Sequence, residues 1–210
     1  MYDNALWFSG IAEQKSDVLC RLNIADEPYV LATVHRQSNA DSEWNMMTIS
    51  VALERIAEKT KVVLPLHPRT RKEMDGDLLN RLTSNPRIVL TEPVSFLDMI
   101  QLEKHATLVM TDSGGVQKEA FFFGKPCVIL REETEWVEIV EAGAAILADA
   151  APDRIVAAAE RLWNTTPVLC GDFGDGAAAS TILKHIILHF GHRGDASKRP
   201  ADGQRMASGA

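Results

Sequence analysis

The chain has 210 residues, room for one well-buried domain, and its 46% hydrophobic and 24% charged residues are those of an ordinary globular protein. Lysine and arginine total 22 against 29 acidic residues, and the net charge of −7 argues against an electrostatic nucleic-acid binder. Three cysteines (Cys20, Cys127 and Cys170) are odd in number, far apart and without CxxC spacing, so neither a disulfide framework nor a zinc site is expected and a reducing cytoplasm is the default.

The opening MYDNALWFSG lacks the basic-then-apolar layout of a signal peptide, and no window approaches the roughly 18 apolar residues of a membrane span. From position 29 onward, short apolar, β-branched runs recur at 29–34, 61–66, 87–90, 107–111, 127–131 and 144–148. Helical patterns lie between them at 44–59, 77–84, 95–105, 116–123 and 134–141. Continuous apolar strands alternating with helices predict a doubly wound, Rossmann-like α/β domain with a parallel sheet covered on both faces. Its ligand belongs at the carboxyl ends of the strands. Two further helices, 152–163 and 179–190, are expected to close the domain, which takes in residues 1–190. Residues 191–210 hold almost no large apolar side chains and read as a disordered tail, and both chain ends look like places where sequence has been cut or added. Trp44, Met46, Met47 and Phe121 to Phe123 read as core packing.

The stretch TDSGGVQKEAFFFGKP, 111–126, carries the main signal. A strand ends at Thr111, Ser113 is placed to cap a helix starting at Gly114 or Gly115, and the two glycines let the backbone approach a ligand. The first amides of that helix, with the positive end of its dipole, suit a phosphate. Glu119, one turn further on, suits a ribose diol. Protease chemistry is a poor fit for the same letters: chymotrypsin-like enzymes are antiparallel β-barrels, and Thr111 stands where the G-x-S-x-G elbow needs glycine.

His35 and Arg36 follow the first apolar run; His67, Arg69 and Arg71 follow the second; Arg131 follows the fifth. Three basic strand ends beside a glycine-hinged helix, in an acidic chain, imply an anionic ligand such as a diphosphate. The spacing of His185, His189 and His192 permits metal chelation in principle, but Gly191 is expected to end the helix there and no HExxH glutamate accompanies them, so no metal and no cofactor is expected. REETEWVE, 131–138, is either a solvated helix start or a ligand loop.

TVHRQSN, LPLHPRTRK, TEPVSFLDMIQL and TDSGGVQKEAFFFGKPCVILREETEWVEIVEAG together resemble signature blocks of the non-hydrolysing UDP-N-acetylglucosamine 2-epimerases, in order, over about 1–147. The resemblance implies the C-terminal domain of a GT-B fold, lacking its N-terminal Rossmann-like half, in a family whose members commonly dimerise. It implies that Ser113, Gly114 and Gly115 hold the diphosphate of UDP or UDP-N-acetylglucosamine and Glu119 the ribose. Arg131 and His35 would lie near the reacting centre, with His35 the remaining acid–base candidate, and Arg36 and His67 would match a regulatory UDP-sugar site. The implied chemistry is interconversion of UDP-N-acetylglucosamine and UDP-N-acetylmannosamine by elimination and re-addition of UDP, in the cytoplasm, for surface polysaccharide precursors.

The sequence departs from the family pattern at Ser38, where HRxEN has glutamate, at Trp136 and Val137, where TERPE has arginine and proline, and at Lys118, where QEEA has an acid. The family's proton-transfer carboxylates lie in the other domain. The expectation is a chain that binds UDP and by itself turns over poorly or not at all. Alternatives are a non-catalytic UDP-sugar-binding remnant and the donor domain of a GT-B glycosyltransferase.

Overall fold

The computed structural model describes residues 1–168 and 171–190. The tail expected over 191–210, with Gly191 and His192, lies outside the described residues, as do Cys170 and the side chain of Arg69.

The chain opens with α1 (Tyr2–Lys15) and α2 (Val18–Arg21), neither of which the sequence pattern predicts. Five elements follow: β1 (Tyr29–Thr33), α3 (Gln37–Ala40), α4 (Glu43–Ala57), β2 (Lys61–Pro65) and α5 (Pro68–Glu73). Next come α6 (Gly76–Ser84), β3 (Ile88–Thr91), α7 (Phe96–His105), β4 (Leu108–Thr111) and α8 (Gly114–Phe122). The chain then runs through β5 (Cys127–Ile129), α9 (Val137–Glu141), β6 (Ala145–Leu147), α10 (Pro152–Leu162) and α11 (Ala178–Phe190). All six expected strands form, and 134–136 is loop rather than the expected helix.

The strands make one parallel sheet in the order β3-β2-β1-β4-β5-β6. The order reverses between β1 and β4, where crossovers leave in opposite directions and open a crevice at the carboxyl strand ends. Alternation along the buried strands splits the core in two. Val30, Ala32, Val62, Leu64, Leu108, Met110 and Val128 face α4, α6 and α10. Tyr29, Leu31, Val63, Val109, Cys127 and Ile129 face α1, α2, α7, α8 and α9. Tyr29 donates its hydroxyl hydrogen bond to the Leu102 carbonyl at 2.7 Å, which satisfies the one polar atom it buries.

Hydroxyl caps fix three helix starts: Ser42 accepts from the Asn45 amide, Ser95 from Asp98 and Ser113 from Val116. Ion pairs Arg55–Asp153 at 2.7 Å and Lys59–Glu160 at 2.6 Å lace α4 to α10 at the surface.

Two expectations change here. Trp44 and Met47 are exposed, because the buried stripe of α4 is Met46, Ile49, Leu53 and Ile56 and those two side chains lie off it. Phe121 and Phe122 are buried as expected. The last helix does not close the domain: α11 buries none of its residues, and Ile182, Leu183, Ile186, Ile187, Leu188 and Phe190 are all exposed. Its start is tied to α1, where the Ala179 amide donates to Asp3 at 3.1 Å. Among the described residues no helix is long and apolar enough to cross a membrane.

Candidate functional site

The crevice between β1 and β4 is organised by Asp112, the first residue after β4, whose side chain is completely buried. Its carboxylate accepts from the His35 amide at 3.2 Å, the Arg36 amide at 3.0 Å and Asn39 Nδ2 at 3.2 Å. Asn39 also donates to the Leu130 carbonyl at 2.9 Å, so one buried carboxylate and one amide knot together the segments that follow β1, β4 and β5. Asn45 Nδ2 supports the knot by donating to Asn39 Oδ1 and to the Ser38 carbonyl, both at 3.1 Å. In the sequence the one signal for Asp112 is its place, an acid directly at an apolar strand's carboxyl end.

From this knot the side chains His35 and Arg36 project half-exposed into the crevice, with His35 Nδ1 3.6 Å from Asp112. Across it, Thr33 and Thr111 share a hydroxyl hydrogen bond of 2.6 Å, and Thr111 Oγ1 also accepts from the Ser113 amide at 2.9 Å. Ser113 then caps α8, so the amides of Gly114 and Gly115 start the helix at the crevice. Gly114 is needed for space: a Cβ there would stand 3.2 Å from Trp136 Nε1 and 3.5 Å from Glu135 Oε2.

Arg131, following β5, is buried except for a small fraction and makes a bidentate pair with Glu135, both contacts at 2.8 Å. Arg36 Nη1 stands 3.7 Å from the same carboxylate. Hydrogen bonds from Arg131, reinforced by the Arg36 charge, hold the Glu135 carboxyl down to about 2. Thus Arg36 lies with Arg131 on one side of the crevice, beside a cavity of about 360 Å³ that Ser38 and Asn39 also line. His67 lies with His35 on the other, at the edge of a slot of about 190 Å³ whose walls include Val34, Pro65, Pro93, Val94, Met99 and Val116. Pro93, Val94 and Met99 were not singled out from the sequence, where they look like a loop and a helix face.

The segment REETEWVE folds back on α8: Thr134 Oγ1 donates to Gln117 Oε1 at 2.6 Å, and Lys118 Nζ sits 3.7 Å from the centre of the Trp136 ring. Glu119, half-buried further along α8, has its carboxyl pushed up by burial, with Lys118 and the chain's N-terminal amine opposing. Its neighbour Glu103, on α7, is fully buried with both carboxyl oxygens unpartnered. Burial, then the Glu119 charge, raises Glu103 well above the usual carboxylate range. Glu103 was also missed; it stands on the apolar face of α7 at the spacing 96, 100, 103. Among the described residues no cluster of three or more His, Cys, Asp or Glu side chains could hold a metal ion.

A doubly wound parallel sheet of this strand order, with a capped, glycine-started helix and two arginines at its switch point, is an α/β domain of the kind found as one half of GT-B-like epimerase structures. The family model described as UDP-N-acetylglucosamine 2-epimerase matches residues 1–187, and the chain belongs to that family. A Pseudomonas aeruginosa UDP-2,3-diacetamido-2,3-dideoxy-D-glucuronate 2-epimerase is 42% identical over 89% of this chain and 50% of that protein. A Methanocaldococcus jannaschii UDP-N-acetylglucosamine 2-epimerase is 36% identical over 86% of this chain and 50% of its own length. The M. jannaschii enzyme's structure in complex with UDP-GlcNAc and UDP superposes with a TM-score of 0.80 at 34% identity, covering 89% of this chain and 52% of that one. The chain therefore spans about half the length of the curated relatives it matches.

Proposed function

We propose that this chain is the nucleotide-binding half of a 2-epimerase acting on a UDP-linked N-acetylated amino sugar. The observation that carries the proposal is the crevice itself. The α8 amides at Gly114 and Gly115, Arg131, Arg36 and His35 lie about this crevice, beside an apolar slot of about 190 Å³. In this reading the diphosphate sits at Ser113–Gly115 and Arg131, and uracil enters the slot beside Met99 and Val116. Glu119 takes the ribose hydroxyls, Arg36 joins Arg131 at the phosphates, and His67 lines the slot that takes the base.

The reaction is proton removal at C2 with cleavage of the C1–O bond, the electron pair leaving on the diphosphate, to give a 2-acetamidoglucal and UDP. Reprotonation of C2 on the opposite face and return of UDP to C1 complete the epimerisation. His35, held by its backbone at Asp112 with its imidazole in the crevice, is placed to donate a hydrogen bond to the departing diphosphate. Proton transfer at C2 needs a positioned acid or base facing this mouth from a complementary domain. The half-length coverage favours the same arrangement: UDP binding by this chain, turnover only with its other half.

Deuterium incorporation at C2 in heavy water tests the chemistry. With the complementary half supplied, exchange is expected from UDP-N-acetylglucosamine or from the diacetamidoglucuronate that the P. aeruginosa relative's name specifies. Absence of exchange from both sugars sinks the epimerase proposal. Sugar transfer to an acceptor would place the chain among the glycosyltransferases instead.

A further inference from the structure

The Glu135 carboxylate occupies an unusual position for a surface acid. One oxygen accepts from Arg131 Nη2 at 2.8 Å and lies 3.7 Å from Arg36 Nη1. The other accepts from Arg131 Nη1 at 2.8 Å and lies 3.5 Å from where a Cβ on Gly114 would be. A protein carboxylate therefore stands among the two arginines and the start of α8, the three features that draw an anion to this mouth.

The members of this pair differ in freedom. The Arg131 side chain is 6% exposed and cannot leave, whereas that of Glu135 is 53% exposed. The backbone on either side is pinned, since Thr134 bonds Gln117 and the Trp136 amide donates to Thr134 at 3.1 Å. Only the Glu135 side chain is left to swing. With its carboxyl held at about 2, protonation does not release it at any pH where proteins are ordinarily folded.

We propose that Glu135 is a resident anion that a ligand must displace from Arg131 and Arg36, and that this displacement makes the site select diphosphates over monophosphates. The inference rests on the nucleotide site proposed above. A monophosphate at the Gly114–Gly115 amides leaves the Glu135–Arg131 pair in place. A second phosphate reaches the arginines only by exchanging with Glu135, and it recovers two charge-assisted hydrogen bonds in doing so. The fraction of molecules with the arginines free scales the apparent affinity for diphosphates.

Calorimetric titration of the wild-type chain, Glu135→Gln and Glu135→Ala with UDP and with UMP tests this, with thermal melts to confirm that each variant is folded. Both variants are expected to bind UDP on the order of fivefold more tightly, the value of one half-exposed ion pair, while UMP affinity changes less than about twofold. Equal tightening for UDP and UMP would mean that only net charge had changed, and overturns the inference. So does unchanged or weaker UDP binding by the variants, which makes Glu135 a support for Arg131 and not its competitor. Failure of wild type and variants alike to bind either nucleotide removes the nucleotide site as well.

Discussion

Removing the Asp112 carboxylate is the sharpest perturbation of the crevice. Asp112→Ala leaves the part-buried amides of His35 and Arg36 and the buried Asn39 Nδ2 without their acceptor, while Asn39 Nδ2 keeps only its bond to Leu130. Charge-assisted bonds of this kind contribute about 1.5–3 kcal/mol each, but relaxation and water entry recover part of the loss, so the net cost is about 3–5 kcal/mol. For a domain of this size that lowers Tm by roughly 6–20 °C. Asp112→Asn keeps the shape and one acceptor oxygen but turns an NH₂ toward its former donors, and costs about 1.5–3 kcal/mol. Urea unfolding followed by circular dichroism measures both, and UDP titration of whatever stays folded reports whether His35 and Arg36 are still aimed. Asp112→Ala within about 1 kcal/mol of wild type would refute the claim that this carboxylate ties the three strand ends together.

Three further outcomes follow from particular contacts. Gly114→Ala, whose Cβ would meet Trp136 Nε1 at 3.2 Å, should weaken UDP binding at least about tenfold; stability should change by less than about 1 kcal/mol, because alanine's helix propensity offsets the crowding. Unchanged UDP affinity would remove Gly114 from the phosphate cradle. Glu103→Leu should stabilise the fold by about 1–3 kcal/mol at pH 8, since it replaces a buried carboxyl with two unpartnered oxygens. The folded pKa of Glu103 is raised, so the cost of ionising it in the fold is absent below the ordinary value of 4.5 and grows as pH rises; unfolding at pH 5 should show a smaller gain than at pH 8, and a pH-independent gain would contradict the assignment. Burial and the nearby Glu103 push the Cys127 thiol up, so native protein should alkylate at exposed Cys20 and not at Cys127, which should react only in urea. Native labelling of Cys127 would show that its strand is accessible.

The sheet was legible because its strands are covered on both faces and so read as unbroken apolar runs. The first helix was not, because Leu6, Trp7, Phe8 and Ile11 are spread around α1 and only Ala5 and Ala12 are buried. Helices α3 and α5 are single-turn to two-turn pieces, too short for periodicity to appear; α3 is held by Asn39 bonding to residues 73 and 91 positions away. The capped start of α8 was legible from Ser113, Gly114 and Gly115, since cap and glycines are local signals. What joins Arg36 to Arg131 is not local. They meet because β4 lies between β1 and β5 in space, and only the strand order brings the segments after β1 and β5 to one mouth. The same holds for Glu103 beside Glu119, two acids on different helices.

The most direct measurement is calorimetric titration of the chain with UDP, repeated with Arg131→Ala and Glu119→Ala. A nucleotide site at the β1–β4 crevice predicts one UDP bound per chain, with affinity lost on removing the buried guanidinium and reduced on removing the half-buried carboxyl. No heat of binding at millimolar UDP, or binding that neither substitution alters, would contradict it.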